Sequence, residues 1–192
     1  MSAPASYACL PRPLIALGDY AVRPVQPDDI EDIRLWRNAQ MDVLRQQSPL
    51  SPADQIAYYD RHVWPVMPQA EPANILVTFL KHGQRIGYGG LVHIAWPHRR
   101  AEVSFLVSPD LAADAARYAE AFDTFFGLMK VLAFDDLGLN RLTTETYANR
   151  TAHIARLEAA GFIPEGRLRR HVRINDDFID SLLHGCVTTD AR

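Results

Sequence analysis

Between residues 73 and 107 the chain passes through three β-like segments joined only by the turn HGQR and the run WPHRR. The segments are ANILVTFLK (73–81), IGYGGLVHI (86–94) and AEVSFLV (101–107). Parallel neighbours need a crossover of roughly a dozen residues or more, so connections this short demand an antiparallel meander. The run SPDLAADAAR then reads as a loop. From Tyr118 the period changes: Tyr118, Ala121, Phe122, Phe125, Met129 and Leu132 recur at helical steps, the buried stripe of a long helix that should stop near Gly138.

The flanks follow the same logic. YAVRPV (20–25) alternates like a half-buried strand, and Pro27, Asp28 and Asp29 open a helix whose apolar face carries Ile30, Ile33 and Trp36. Ser51-Pro52, a capping residue before a proline, starts a second helix that must end by Trp64-Pro65. RLTTET (141–146) is a strand. Asn149 or Thr151 then caps a short helix that runs to Ala160 and closes on Gly161. FIPEGRLRRHVR, the turn INDD and FIDSLLHGCV form a last hairpin. The order βααβββαβαββ is that of a mixed α/β sheet in one layered domain from residue 20 to the end, behind a Pro- and Ala-rich arm over residues 1–19.

With 192 residues the chain can bury one good core and is short for two. A formal net charge of -3 argues against nucleic acid as a partner, since binders of phosphate backbones usually carry a basic excess. No apolar run is long enough to span a bilayer, and the N-terminal residues lack a secretory leader. Cys9 and Cys186 cannot build a disulfide framework and lack partners at metal spacing, so a reducing cytoplasm and no metal are expected. Gly87, Gly89 and Gly90 lie inside a strand, where they mark a bulge or close packing rather than a nucleotide fingerprint.

The element order and several runs resemble the GNAT acetyltransferases. RAEVSFLVSP is similar to that family's fourth strand and its exit into the cofactor loop. IRLWRN (33–38) and LEAAGFIPEGRLRRHV resemble the branch that acetylates ribosomal-protein N-termini and amino sugars. The resemblance implies a sheet of mostly antiparallel strands flanked by helices. It also implies direct, acetyl-CoA-dependent transfer to a primary amine of a small molecule, including a nucleotide-linked amino sugar, or of a protein N-terminus. A non-catalytic acyl-CoA-binding domain is the alternative.

It also assigns residues. The backbone of Phe105, Leu106 and Val107 would hold pantetheine and polarise the thioester carbonyl. Family members usually have a glycine-bearing loop around the pyrophosphate. This chain has Ala112-Ala113-Asp114-Ala115-Ala116-Arg117, so free N–H groups near Ala113, Asp114 and Ala115, with Arg117 as cation and Tyr118 as donor, would have to serve. Asn149 or Arg150 falls where the family contacts CoA. Glu102 takes the position of a general base for the ammonium, with pairing to Arg99 or Arg100 as the plainer role. Glu145 is second, or an exposed strand carboxylate. Leu157 stands where some relatives have a tyrosine acid, so no acid is assigned.

Trp36 and Arg37 lie where this branch receives its acceptor, Arg37 being able to meet a phosphate or carboxylate. Trp96 is a wall of that pocket or a hydrophobic plug. His93, His98 and His153 could titrate near neutral pH or be structural. The cluster Arg167, Arg169, Arg170, His171 and Arg173 reads as a solvated strand face. The apolar closing hairpin could extend a partner's sheet, which allows a homodimer.

Overall fold

The computed structural model describes residues 3–44, 46–174 and 176–190. In chain order its strands are β1 (Ile15–Leu17), β2 (Tyr20–Pro24), β3 (Ile75–Lys81), β4 (Gln84–Ala95), β5 (Arg100–Val107), β6 (Arg141–Tyr147), β7 (Ile163–Ile174) and β8 (Asp177–Val187). The α-helices are α1 (Ile30–Ala39), α2 (Pro52–His62), α3 (Pro109–Ala113), α4 (Ala115–Lys130) and α5 (Thr151–Ala159). The strands form one sheet in the order β1-β2-β3-β4-β5-β6-β8-β7. The expected meander is its centre: β3 pairs antiparallel with β4, and β4 with β5. α4 provides the crossover to β6, which pairs parallel with β5.

Alternation along the strands builds two apolar layers. Ile75, Val77, Phe79, Val103 and Val107 face α4, where Phe122, Phe125, Phe126 and Met129 are buried. Leu76, Tyr88 and Leu106 face the other way, against Ile33 of α1 and Tyr59 of α2. Removing a large apolar side chain from water contributes about 1.5–3 kcal/mol each, so the phenylalanines of α4 anchor the crossover. The strand glycines allow this approach. A Cβ on Gly89 would lie 2.8 Å from Phe125 Cζ, and Gly90 has φ +133 with its missing Cβ 2.0 Å from the Ile75 carbonyl oxygen.

The second layer is locked to the sheet by Asp29, at the start of α1. Its buried carboxylate accepts from both Arg23 terminal nitrogens, from the Thr78 hydroxyl at 2.6 Å and from the Gln26 N–H.

Three segments differ from the sequence reading. The loop after β5 contains α3, and α4 begins three residues before Tyr118, because Ser108-Pro109 and Asp114 each start a helix. Within the arm, Ile15–Leu17 turns at Gly18 (φ +58) to pair with β2, and the buried Tyr7 hydroxyl accepts the Leu76 N–H at 2.9 Å. β4 bulges near its end, with His93 at φ 53. The turn over residues 174–177 includes Asn175, which lies outside the described residues. In the closing hairpin Arg167 pairs with Asp180 and Arg173 with Asp176, the solvated basic face expected of these residues. Among the described residues no helix is long and apolar enough to cross a membrane.

Candidate active site

The site begins where β5 and β6 part. Their pairing covers Arg100↔Arg141, Ala101↔Leu142 and Glu102↔Thr143 and then stops. Beyond Glu102 one edge of β5 is left without a strand neighbour. It opens on a groove of ≈ 420 Å³ lined by Phe105, Leu106 and Val107, by Ala115 and Tyr118 of α4, and by Asn149 and Arg150 before α5. Gln40, just after α1, donates its side-chain N–H to the Val107 carbonyl at 2.8 Å, supplying a partner that a neighbouring strand would otherwise give.

At the head of this groove the N-terminus of α4 is closed by its own cap. The Asp114 carboxylate accepts from the N–H groups of Ala116 at 3.1 Å and Arg117 at 3.0 Å. The sequence reading looks for free donors near Ala113, Asp114 and Ala115; the next two N–H groups, those of Ala116 and Arg117, already hold an anion. Ala113 and Asp114 are exposed and do not line the groove, whereas Ala112 and Ala115 do. Arg117 is exposed on the first turn of α4.

A second cleft, ≈ 220 Å³, lies across β5 and β6 and holds both expected carboxylates, Glu102 and Glu145, together with Arg37, His93 and Ser104. The two cavities share Val43, Phe105, Arg150 and His153, so they meet at Phe105. Glu102 is half-buried, while the Arg99 guanidinium donates to the Gly138 carbonyl at 2.6 Å. Glu145 is not an exposed strand carboxylate. Its side chain is 14% accessible, with an oxygen 3.6 Å from Nε2 of His171 on β7.

At the junction, Nδ1 of His153 and the Tyr118 hydroxyl are 2.7 Å apart, and an Arg150 terminal nitrogen is 3.5 Å from the same hydroxyl. Burial, helped by the positive charge of Arg150 and by His184, pushes the His153 imidazole down to about 3. The ring is therefore neutral at physiological pH, and one of its nitrogens is an acceptor. Burial pushes the Tyr118 phenol up, opposed by Arg150. Leu157, by contrast, is fully buried in the core.

Of the three acceptor-side residues suggested by sequence, only Arg37 lines the cleft. It donates from Nη1 to the Tyr88 hydroxyl at 2.6 Å and from Nε to Gln46 Oε1 at 3.0 Å. Trp36 packs into the layer under α1 and α2. Trp96 is a plug: its indole N–H donates to the Pro72 carbonyl at 2.9 Å and its ring rests on the core. His98 is exposed and lines neither cavity. Sequence reasoning missed Gln40, Val43 and Tyr88, which reach the site only through tertiary contacts and carry no local signal.

A family model described as an acetyltransferase (GNAT) domain matches residues 22–183. A comparison with curated proteins finds no match. Among solved structures, the chain is similar to spermidine N-acetyltransferase from Vibrio cholerae in complex with CoA and spermine. The TM-score is 0.81 at 17% identity, covering 91% of this chain and 99% of that one. A mutant of the Vibrio cholerae spermidine N-acetyltransferase gives 0.76 at 18% identity, covering 91% and 97%. A dodecameric structure of that organism's spermidine N-acetyltransferase, in an intermediate state, gives 0.68 at 18% identity, covering 90% and 96%. At these identities the likeness is one of fold.

Proposed function

The chain belongs to the GNAT acetyltransferase family, which takes acetyl-CoA as acyl donor, and on that basis we propose that it acetylates a primary amine of a small molecule or of a protein N-terminus. The observation that carries this reading is the meeting of two cavities at Phe105. One follows the free edge of β5; the other holds two carboxylates.

Acetyl-CoA supplies an activated thioester. The free edge of β5 from Phe105 to Val107 offers backbone groups to pantetheine, and Arg150 and Asn149 face the same groove. An aliphatic amine is largely protonated at neutral pH, with a pKa near about 10. Glu102, directly or through water, takes its proton. Glu145 lies in the same cleft and is the second carboxylate able to do so. The neutral amine attacks the carbonyl carbon, a carbon–nitrogen bond forms, and the carbon–sulfur bond breaks. The departing thiolate takes a proton at the junction, where the Tyr118 hydroxyl stands against His153. The proton lost by the amine passes through the carboxylate to solvent, so the exchange balances.

The similar structures that are polyamine acetyltransferases support an amine acceptor. The two free cysteines, Cys9 and Cys186, support a cytoplasmic setting. β7 is an edge of the sheet and could pair with a second copy, the route to a homodimer. The test is release of CoA thiol from acetyl-CoA with a panel of primary amines. Amine-dependent release supports the reading. Tight cofactor binding with no release on any amine contradicts it.

A further inference from the structure

Among the described residues eight arginines pair with a carboxylate: Arg12, Arg23, Arg34, Arg85, Arg141, Arg156, Arg167 and Arg173. Arg37 does not. It reaches the acceptor cleft from α1, is partly withdrawn from water, and is held by two neutral acceptors, the Tyr88 hydroxyl and the Gln46 amide oxygen. Among the described residues no carboxylate lies within ion-pair distance of it. A guanidinium has five N–H donors in a planar fork, and these two bonds use only two of them.

The position of Arg37 makes this informative. It lines the cleft that holds Glu102 and Glu145, and also an adjoining cavity of ≈ 240 Å³ walled by Tyr58, Tyr59 and Tyr88. A cation partly withdrawn from water without a carboxylate in ion-pair contact is costly to maintain, and a ligand that brings an oxyanion to it repays that cost. A polyamine would set a second ammonium in reach of the guanidinium, a repulsive contact that discriminates against it.

We propose that the acceptor is an amino carboxylate, an amine whose remote carboxylate is bound by Arg37 while its amino group lies between Glu102 and the junction at Phe105. This rests on the acetyl-transfer reading and narrows it. Arg37 then sets specificity.

Three four-carbon amines that differ only at the far end test it: butylamine, 4-aminobutanoate and 1,4-diaminobutane, followed by the same triplets with three to six carbons. At saturating acetyl-CoA, the carboxylate member of at least one triplet should exceed both others in kcat/KM by about tenfold or more. Arg37→Gln should bring the carboxylate-to-methyl ratio to about one, and Arg37→Lys should restore part of it. Preference for the diamine, or an Arg37→Gln loss that scales all three amines equally, overturns the assignment. Calorimetry of each amine on the CoA-loaded protein separates the two layers of the argument. Carboxylate-dependent binding without turnover rejects acetyl transfer and keeps the Arg37 site. Turnover without carboxylate preference does the reverse.

Discussion

The carboxylate of Asp114 lies 3.0 Å from the backbone nitrogen of Arg117, closing the first turn of α4 with a negative charge belonging to the chain itself. That turn heads the groove along β5, so any pyrophosphate held there competes with Asp114 for the same donors. Replacing Asp114 with glycine removes the competitor. CoA should then bind about three- to tenfold more tightly, while the lost cap costs about 0.5–1 kcal/mol of stability. Calorimetry and a thermal melt on Asp114→Gly measure both; weaker CoA binding would show that the carboxylate assists the site.

Glu102→Gln removes the proposed base with little change in shape. Turnover should fall by about a hundredfold or more, with CoA affinity kept within about twofold. If Glu145→Gln produces the larger loss, the base is on β6 instead. Rapid-mix and steady-state thiol release on both variants decides between them.

His153 makes a pH-dependent prediction. Its imidazole titrates at about 3 in the fold, against an ordinary value of 6.5. Between these values the unfolded chain binds a proton that the folded chain does not. Stability attributable to this site is therefore intact above pH 6.5 and declines as pH falls through the window, by up to about 1.4 kcal/mol per unit. In denaturant titrations between pH 7 and 4, His153→Gln should flatten that decline while retaining a polar partner for Tyr118.

Asp29 lines neither cavity and ties α1 to the sheet. Burial alone would raise its carboxyl pKa, but the Arg23 guanidinium, Thr78 and the Gln26 N–H together hold it below the usual range. Its contribution is therefore present above the ordinary carboxylate pKa and lost as pH falls through the lowered one. Asp29→Ala leaves Arg23 without its partner and should cost about 3–5 kcal/mol at pH 7, read from the denaturant midpoint.

What was legible in the sequence follows from the range of the forces involved. Two-residue alternation placed β3 to β5, and it put Glu102 and Ser104 on the face opposite Phe105, because a strand's side chains alternate whatever lies around them. The stripe from Tyr118 to Leu132 placed the crossover helix for the same reason. α3 reads as loop in the sequence although Ser108-Pro109 carries the same start signal as Ser51-Pro52. Its apolar content, chiefly Leu111, is too short to show a period. The capping role of Asp114 is not legible either, because its hydrogen bonds to Ala116 and Arg117 depend on a helix start that the apolar pattern places only at Tyr118. The contacts of Arg37 with Tyr88, and of Gln40 with Val107, join residues 51 and 67 positions apart, beyond any local signal.

The most direct test of the account is calorimetric titration of the purified protein with CoA. Saturable binding in the micromolar range, weakened by charge reversal at Arg150, is the predicted result. No heat of binding at millimolar CoA would contradict the assignment of the β5 groove as the cofactor site.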